Sequence, residues 1–449
     1  MAGVSQLSAR ETRILFVGDM HLGRLPSRVP MSERLPLPAD LGPAAAWRRV
    51  ADEAVRLGVD AVALAGDVVQ GASDTFRGAS ELDAGLRVLA RAGIPVLSVA
   101  GNHDTRVLPD LALHGGIIML GPGGTWSHTD VASAGGSTVR VVGWSFPDRH
   151  WPDSPLANMP PAPASGVVTL GLLHADLDVP GSRYAPVTSA ELAATGYAGW
   201  LLGHVHTPGT PSAQGRPFYL GSLCGLDPTE TGVHGPVLVT VDEAGRIAMK
   251  RLPLAPLRWL AVDLDLESAA DEATPLEARV YAAVARACEA ARQEDDGTLA
   301  IGVRLTVRGA VGDPVAVRAA AAAMSEETVI MPAAGAVAFL ESIFVEAHQR
   351  LDLRAAAQGD DPPGLLARRI LALEGASDIP GVADAAAWRA ELMAEARRVT
   401  GDVDRLASYR IIENAPDDDE VRREALAAMW ALLEHLDHGG KGRRAPDPD

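Results

Sequence analysis

Five short apolar runs, each closing on residues able to hold a cation, constrain this chain more than any other feature of its sequence. They are residues 13–18 into Asp19-Met20-His21, 61–66 into Asp67, and 95–101 into Asn102-His103-Asp104. Residues 167–173 then lead into His174, and 200–203 into His204-Val205-His206. Runs of this length with little polar alternation suit strands buried on both faces of a layered sheet. Donors at their carboxyl ends converge on one rim, where open α/β sheets place ligands. Between the first runs, Trp47, Val50, Ala54 and Leu57 recur at helical spacing before Gly58, and Leu82, Leu86 and Leu89 before Gly93. The alternation predicts an α/β fold, a βαβ sandwich. Beyond Asp104, shorter runs at 117–120, 138–142, 218–220 and 237–241 predict a second, more antiparallel sheet, and the Pro-rich stretch 152–163 a loop.

A chain of 449 residues exceeds one ordinary core. The first domain is expected over 1–255 and a small separate α/β unit over 256–357, with strands at 259–266, 298–307 and 328–331 and helices at 275–292 and 313–324. Residues 337–353 fit a strand or a helix. A helical region is expected over 358–438, its last helix carrying an apolar stripe of Leu426, Met429, Trp430, Leu433 and Leu436, more often core than partner site. A tail at 439–449 is expected to lack order.

The net charge of −18 at first argues against a nucleic-acid substrate, which normally selects a basic face. Residues 256–449, however, hold 21 basic and 35 acidic residues, leaving −4 for 1–255, where several acids are candidate metal ligands. A DNA substrate therefore stays open. Cys224 and Cys288 fall in no C-x-x-C pair and read as reduced thiols. No run approaches the roughly 20 apolar residues of a membrane span, and residues 1–12 lack a signal peptide's apolar core, so a cytoplasmic protein without a membrane partner is expected.

A dinuclear site needs a bridging carboxylate and several neutral donors on each side. Asp19, His21 and His206 can hold one ion and Asn102, His174 and His204 the other, with Asp67 bridging. Such a pair acidifies a shared water to a hydroxide able to attack phosphorus in line. His103, beside a ligand but free of ligand duty, is placed to protonate the leaving alkoxide. Asp104 either orients His103 or gives structural support. Arg24, Arg106 and Arg183, each near a motif, are candidate substrate contacts, with a solvated surface role the equal alternative. A lone D-x-H or H-x-H is weak evidence; five such elements in order are not coincidence. His114, His128, His150, His234, His348, His435 and His438 lack that context and read as structural or surface residues.

Asp19-Met20-His21-Leu22-Gly23, Gly66-Asp67, Gly101-Asn102-His103-Asp104, His174 and Gly203-His204-Val205-His206 together resemble the calcineurin-like metallophosphoesterases, over residues 13 to about 242. Within them, the D-x-H-L-G opening, Gly221-Ser222 and the long C-terminal extension resemble the SbcD-type DNA repair exonucleases. Residues 142–147, 174–178 and 225–235 are similar to their YhaO-like bacterial branch. The resemblance implies a Mn²⁺-dependent 3′→5′ exonuclease and endonuclease, a cap domain over the site, a C-terminal region docking on an SMC-like coiled-coil ATPase, and a homodimer. Mg²⁺, Fe²⁺ or Zn²⁺ are alternative metals. Gln70 departs from the acid often found there, and Val68-Val69-Gln70-Gly71 departs from the Asp-Arg-Gly continuation of the protein phosphatase branch. A small-molecule phosphodiesterase or phosphatase, or a non-catalytic scaffold, are the competing readings.

Overall fold

The computed structural model describes residues 11–70, 75–133, 137–159, 167–212, 216–266, 274–294, 297–326, 330–333, 335–406 and 418–441. The chain opens with β1 (Thr12–Val17), α1 (Pro43–Leu57), β2 (Ala61–Ala65), α2 (Thr75–Arg91), β3 (Val96–Val99), α3 (Leu108–Gly115) and β4 (Ile117–Met119). Strands β1 to β4 pair in parallel in that order. Helix α1 follows from its ends as much as its middle: Pro43 stands in the first turn, where its missing N–H costs nothing, and Gly58 closes it with φ 57°.

The second sheet contains β5 (Trp126–Ala132), β6 (Thr138–Trp144), β7 (Val168–His174), β8 (Gly199–Gly203) and β9 (Phe218–Tyr219), with α4 (Ser189–Ala194) crossing from β7 to β8. Only β5 and β6 pair antiparallel; β6 through β9 are parallel, which corrects the expectation of a mainly antiparallel sheet. The runs at 117–120 and 237–241 also belong elsewhere, because β4 extends the first sheet and β10 (Val237–Val241) pairs antiparallel with β1, followed by β11 (Ile247–Arg251). Strands β7 and β8 are buried on both faces, the usual state of parallel strands joined by a helix.

Alternation along each strand assembles the layers. Leu15 and Val17 of β1 and Val62 and Leu64 of β2 face α1 and α2, around the fully buried Trp47. Ile14, Phe16, Ala61, Ala63 and Ala65 point the other way, meeting Val139, Val141, Leu170, Leu172 and Leu201 of the second sheet. The outer face of that sheet packs Trp144, Leu173, Trp200 and Leu202 with Leu192 of α4. Because β1, β2, β3, β7 and β8 run the same way within their sheets, Asp19, Asp67, Asn102, His174 and His204 all follow strand carboxyl ends.

A third sheet has the order β12 (Leu257–Asp265), β13 (Ala300–Val311), β15 (Ala336–Gln349), β14 (Ile330–Ala333), with α5 (Leu276–Glu294) and α6 (Pro314–Glu326) between its strands in sequence. The ambiguous stretch 337–353 is thus mostly strand. Helices α7 (Leu353–Ala356), α8 (Pro362–Glu374), α9 (Ala385–Leu406) and α10 (Asp418–Lys441) follow. Trp430 and Leu433 of α10 are buried against Leu366 and Ile370 of α8, so the predicted stripe is core. Helix α10 runs three residues into the stretch expected to lack order; residues 442–449, like 160–163 of the Pro-rich stretch and 328–329 of a predicted strand, lie outside the described residues. The compact units are Met1–Val262 with Ala282–Leu305 and Glu327–Ser342, and Asp263–Tyr281 with Thr306–Glu326 and Ile343–Asp449. No helix among the described residues is long and apolar enough to cross a membrane.

Candidate metal centre

The loops after β1 and β2 are zipped together by main-chain bonds: Met20 and His21 N–H donate to the Asp67 carbonyl at 3.0 and 2.8 Å, and Leu22 N–H to that of Val68 at 3.0 Å. His21, Asp67 and His204 all adopt positive φ, at 45°, 47° and 101°. Left-handed backbone at a non-glycine costs roughly 1–3 kcal/mol and persists only where surroundings over-determine it. Gly101 is required by close approach, since a Cβ there would sit 2.2 Å from Asp67 Oδ1.

Each of the four candidate ligand histidines turns one ring nitrogen away from the centre. His21 Nδ1 lies 2.9 Å from Gln70 Oε1, His174 Nδ1 3.0 Å from the Ala65 carbonyl, His206 Nδ1 2.9 Å from Glu230 Oε1, and His204 Nε2 3.3 Å from Asp176 Oδ1. These partners accept and do not donate, so a neutral ring carries its proton on the outer nitrogen and keeps a lone pair on the inner one. The inner nitrogens then face one another. His21 Nε2 and His206 Nε2 are 3.0 Å apart; His174 Nε2 and His204 Nδ1 are 3.3 Å apart, with Asn102 Oδ1 3.0 Å from His174 Nε2. Asp67 Oδ2 stands by both sets, 3.8 Å from His21 Nε2 and 3.5 Å from His174 Nε2. Ligand atoms of Asp19, His21 and His206, and of Asp19, Asp67 and His174, lie within 4.8 Å of one another.

Neutral rings so placed face acceptor to acceptor and call for positive charge between them. Burial holds His21 down to about 3 and His174 down to about 4, so both stay neutral at neutral pH and keep their lone pairs available. At His206 burial works the same way but is outweighed by Glu230, Asp19 and Asp67, which lift it to about 9, so at neutral pH its Nε2 also carries a proton that cation binding would displace. Glu230, buried yet bonded to His206, Leu226 N–H and Ser222, is held down to about 2. The donor set therefore fits divalent cations, which satisfy lone pairs and carboxylates together.

Asp19 is buried, and its carboxylate accepts the His204 N–H at 3.0 and 3.1 Å. His103 is half-buried, its N–H bound to Asp67 Oδ1 at 2.9 Å and its ring centroid 5.5 Å from that of His21. Of the two roles expected for Asp104, its hydrogen bonds are those of structural support. It is fully buried and its carboxylate accepts the N–H groups of Val68 at 2.7 Å and Gly101 at 2.8 Å, pinning the loops that carry Asp67 and Asn102. Burial, then the nearby Asp67, push its carboxyl up to about 8. Arg24, Arg106 and Arg183 are all exposed: Arg24 lies near enough to disfavour charge on His21, and Arg106 forms a loose pair with Asp148 at 4.0 Å. Sequence reasoning missed Gln70, Asp176 and Glu230 as partners of the histidines. Asp176 and Glu230 fall inside stretches that carry the family resemblance, but no spacing rule points from them to an imidazole.

Fold and donor set together define a two-sheet α/β sandwich with a candidate centre for divalent cations. Residues 12–208 match the family described as calcineurin-like phosphoesterase. Among solved structures, the protein TT1561 of Thermus thermophilus is similar at 12% identity and a TM-score of 0.30, covering 54% of this chain and 99% of that one. A dimetal phosphatase from Danio rerio is similar at 13% identity and a TM-score of 0.33, covering 54% and 98%. No curated protein matches the chain.

Proposed function

We propose that this protein is a dinuclear-metal phosphodiesterase acting on DNA, in the manner of the SbcD-type exonucleases, and that it works with an SMC-like coiled-coil ATPase. The observation that carries the phosphoesterase chemistry is the opposition of imidazole nitrogens on either side of Asp67. Asp19, His21 and His206 would hold one cation and Asn102, His174 and His204 the other, with Asp67 between. Two cations held there would supply charge to neutralise the phosphate and to acidify a water as nucleophile. A mixed carboxylate, amide and imidazole set without thiolate suits Mn²⁺.

The chain's own residues do the rest. His103 carries the proton for the leaving oxygen, with its main chain fixed by Asp67 so that the ring stays at the rim of the site. Asp104 acts through the backbone, keeping Asp67 and Asn102 in register. Exposed Arg24, Arg106 and Arg183 neutralise flanking phosphates. The choice of DNA rests on the D-x-H-L-G opening, on Gly221-Ser222, and on a first part with net charge of only −4. Exposed Leu365, Val399 and Leu432 on α8, α9 and α10 favour a protein partner for the second unit.

The test is incubation of the full chain with end-labelled single- and double-stranded DNA and with a small aryl phosphodiester, in Mn²⁺, Mg²⁺ or chelator. Release of nucleotides from DNA ends, abolished by chelator, is the expected result. Turnover of the aryl diester with DNA left intact would overturn the DNA reading.

A further inference from the structure

Glu230 belongs to none of the motifs that mark the site, yet its hydrogen bonds tie it to His206. The residue is 8% exposed. Its Oε1 accepts from His206 Nδ1 at 2.9 Å, and its Oε2 from Ser222 Oγ at 2.8 Å and Leu226 N–H at 3.0 Å. Ser222, fully buried, also donates its N–H to the His206 carbonyl at 2.8 Å. One residue thus holds both the main chain of His206 and the carboxylate that holds its ring. His234 closes the cluster, with Nδ1 2.8 Å from the Ser222 carbonyl and Nε2 3.0 Å from that of Glu230.

We propose that Glu230, braced by Ser222 and His234, is a positioning residue that fixes the tautomer and ring plane of His206 so that Nε2 faces His21. The inference rests on the reading of His21 and His206 as cation ligands. A carboxylate is needed here and an amide does not replace it, because three donors converge on it: an imidazole N–H, a hydroxyl and a main-chain N–H. A glutamine can offer its oxygen to only one side. If the amide NH₂ faces His206, the imidazole must turn its lone pair outward, and Nε2 carries a proton into the centre. If it faces Leu226, two donors collide in a buried place.

Mn²⁺ alone is titrated into the full-length wild type, Glu230→Gln, Glu230→Ala, Ser222→Ala and His206→Ala, with free Mn²⁺ followed by its electron spin resonance. The wild type is expected to take two equivalents. Both Glu230 variants should keep one unaltered equivalent and bind the other about 10- to 100-fold more weakly, the usual cost of losing a ligand's outer partner. Ser222→Ala should weaken the same equivalent by less. Generic loss of stability would not single out one of two sites. Wild-type affinity for both equivalents in Glu230→Ala overturns the proposal; should that variant fail to fold, wild-type binding by Ser222→Ala overturns it instead. Failure of the underlying reading looks different: a wild type that takes up no Mn²⁺, or a His206→Ala variant that binds as the wild type does.

Discussion

Gly85 lies in the middle of α2, where alanine should by helix propensity be better by about 1 kcal/mol. The structure predicts the opposite sign. A Cβ built on Gly85 falls 2.2 Å from Nε1 of Trp47, 2.4 Å from Cε2 and 2.9 Å from Cδ1. Ordinary carbon contacts begin near 3.5 Å, so the indole or the helix must move by roughly 1 Å. Trp47 has nowhere to go: it is fully buried, and its Nε1–H donates to the Leu82 carbonyl at 3.1 Å. Overpacking of this kind costs about 1–3 kcal/mol, and a buried indole N–H torn from its acceptor about 1–3 more. Set against the propensity gain, Gly85→Ala should destabilise by about 1–5 kcal/mol, which at about 2–4 °C per kcal/mol lowers the melting temperature of the first unit by several degrees or more. Urea unfolding followed by tryptophan fluorescence reads this directly. The decisive comparison is the same change in a Trp47→Phe background, where the five-membered ring that Cβ strikes is gone. There Gly85→Ala should cost much less or become stabilising, giving a coupling energy of about 2 kcal/mol or more. A stabilised single variant, or a cycle with no coupling, would refute the interlocking of α1 and α2.

His103→Ala should lower phosphodiester turnover by about 10²- to 10⁴-fold while Mn²⁺ stoichiometry stays at the wild-type value, as checked by activity assay and metal analysis side by side. Mn²⁺ at 100 times its dissociation constant should raise stability by about 2.7 kcal/mol per site, and excess chelator should reverse the gain in a thermal melt. Burial pushes the thiols of Cys224 and Cys288 up to about 12 and about 11, so the thiolate is scarce at pH 8 and both should react with a thiol reagent only after unfolding. Rapid native labelling of either cysteine would contradict its burial.

The strands that end in donors were legible because each is an apolar run broken abruptly by a polar residue, a pattern that local sequence carries in full. Strand β5 was not, since Trp126–Ala132 is an edge strand with only one buried side chain among seven and reads as polar loop. Nor was the placement of β4 and β10 in the first sheet, because pairing partners are fixed by the crossovers and not by anything within runs of three and five residues.

The site shows the same division at the scale of single atoms. His204 and His206 are two residues apart, and a sequence reading treats them as equivalent imidazoles. In the fold they turn opposite nitrogens inward: Nδ1 of His204 faces His174, and Nε2 of His206 faces His21. Which nitrogen is free is decided by Asp176 on one and Glu230 on the other, residues 28 and 24 positions away in opposite directions along the chain. The H-x-H spacing can therefore name two candidate ligands, but the choice of donor atom comes from carboxylates whose role exists only once β7, β8 and the turn after β9 have come together. Exchange of such a carboxylate for its amide would leave every motif intact and still should alter which ring nitrogen points into the site.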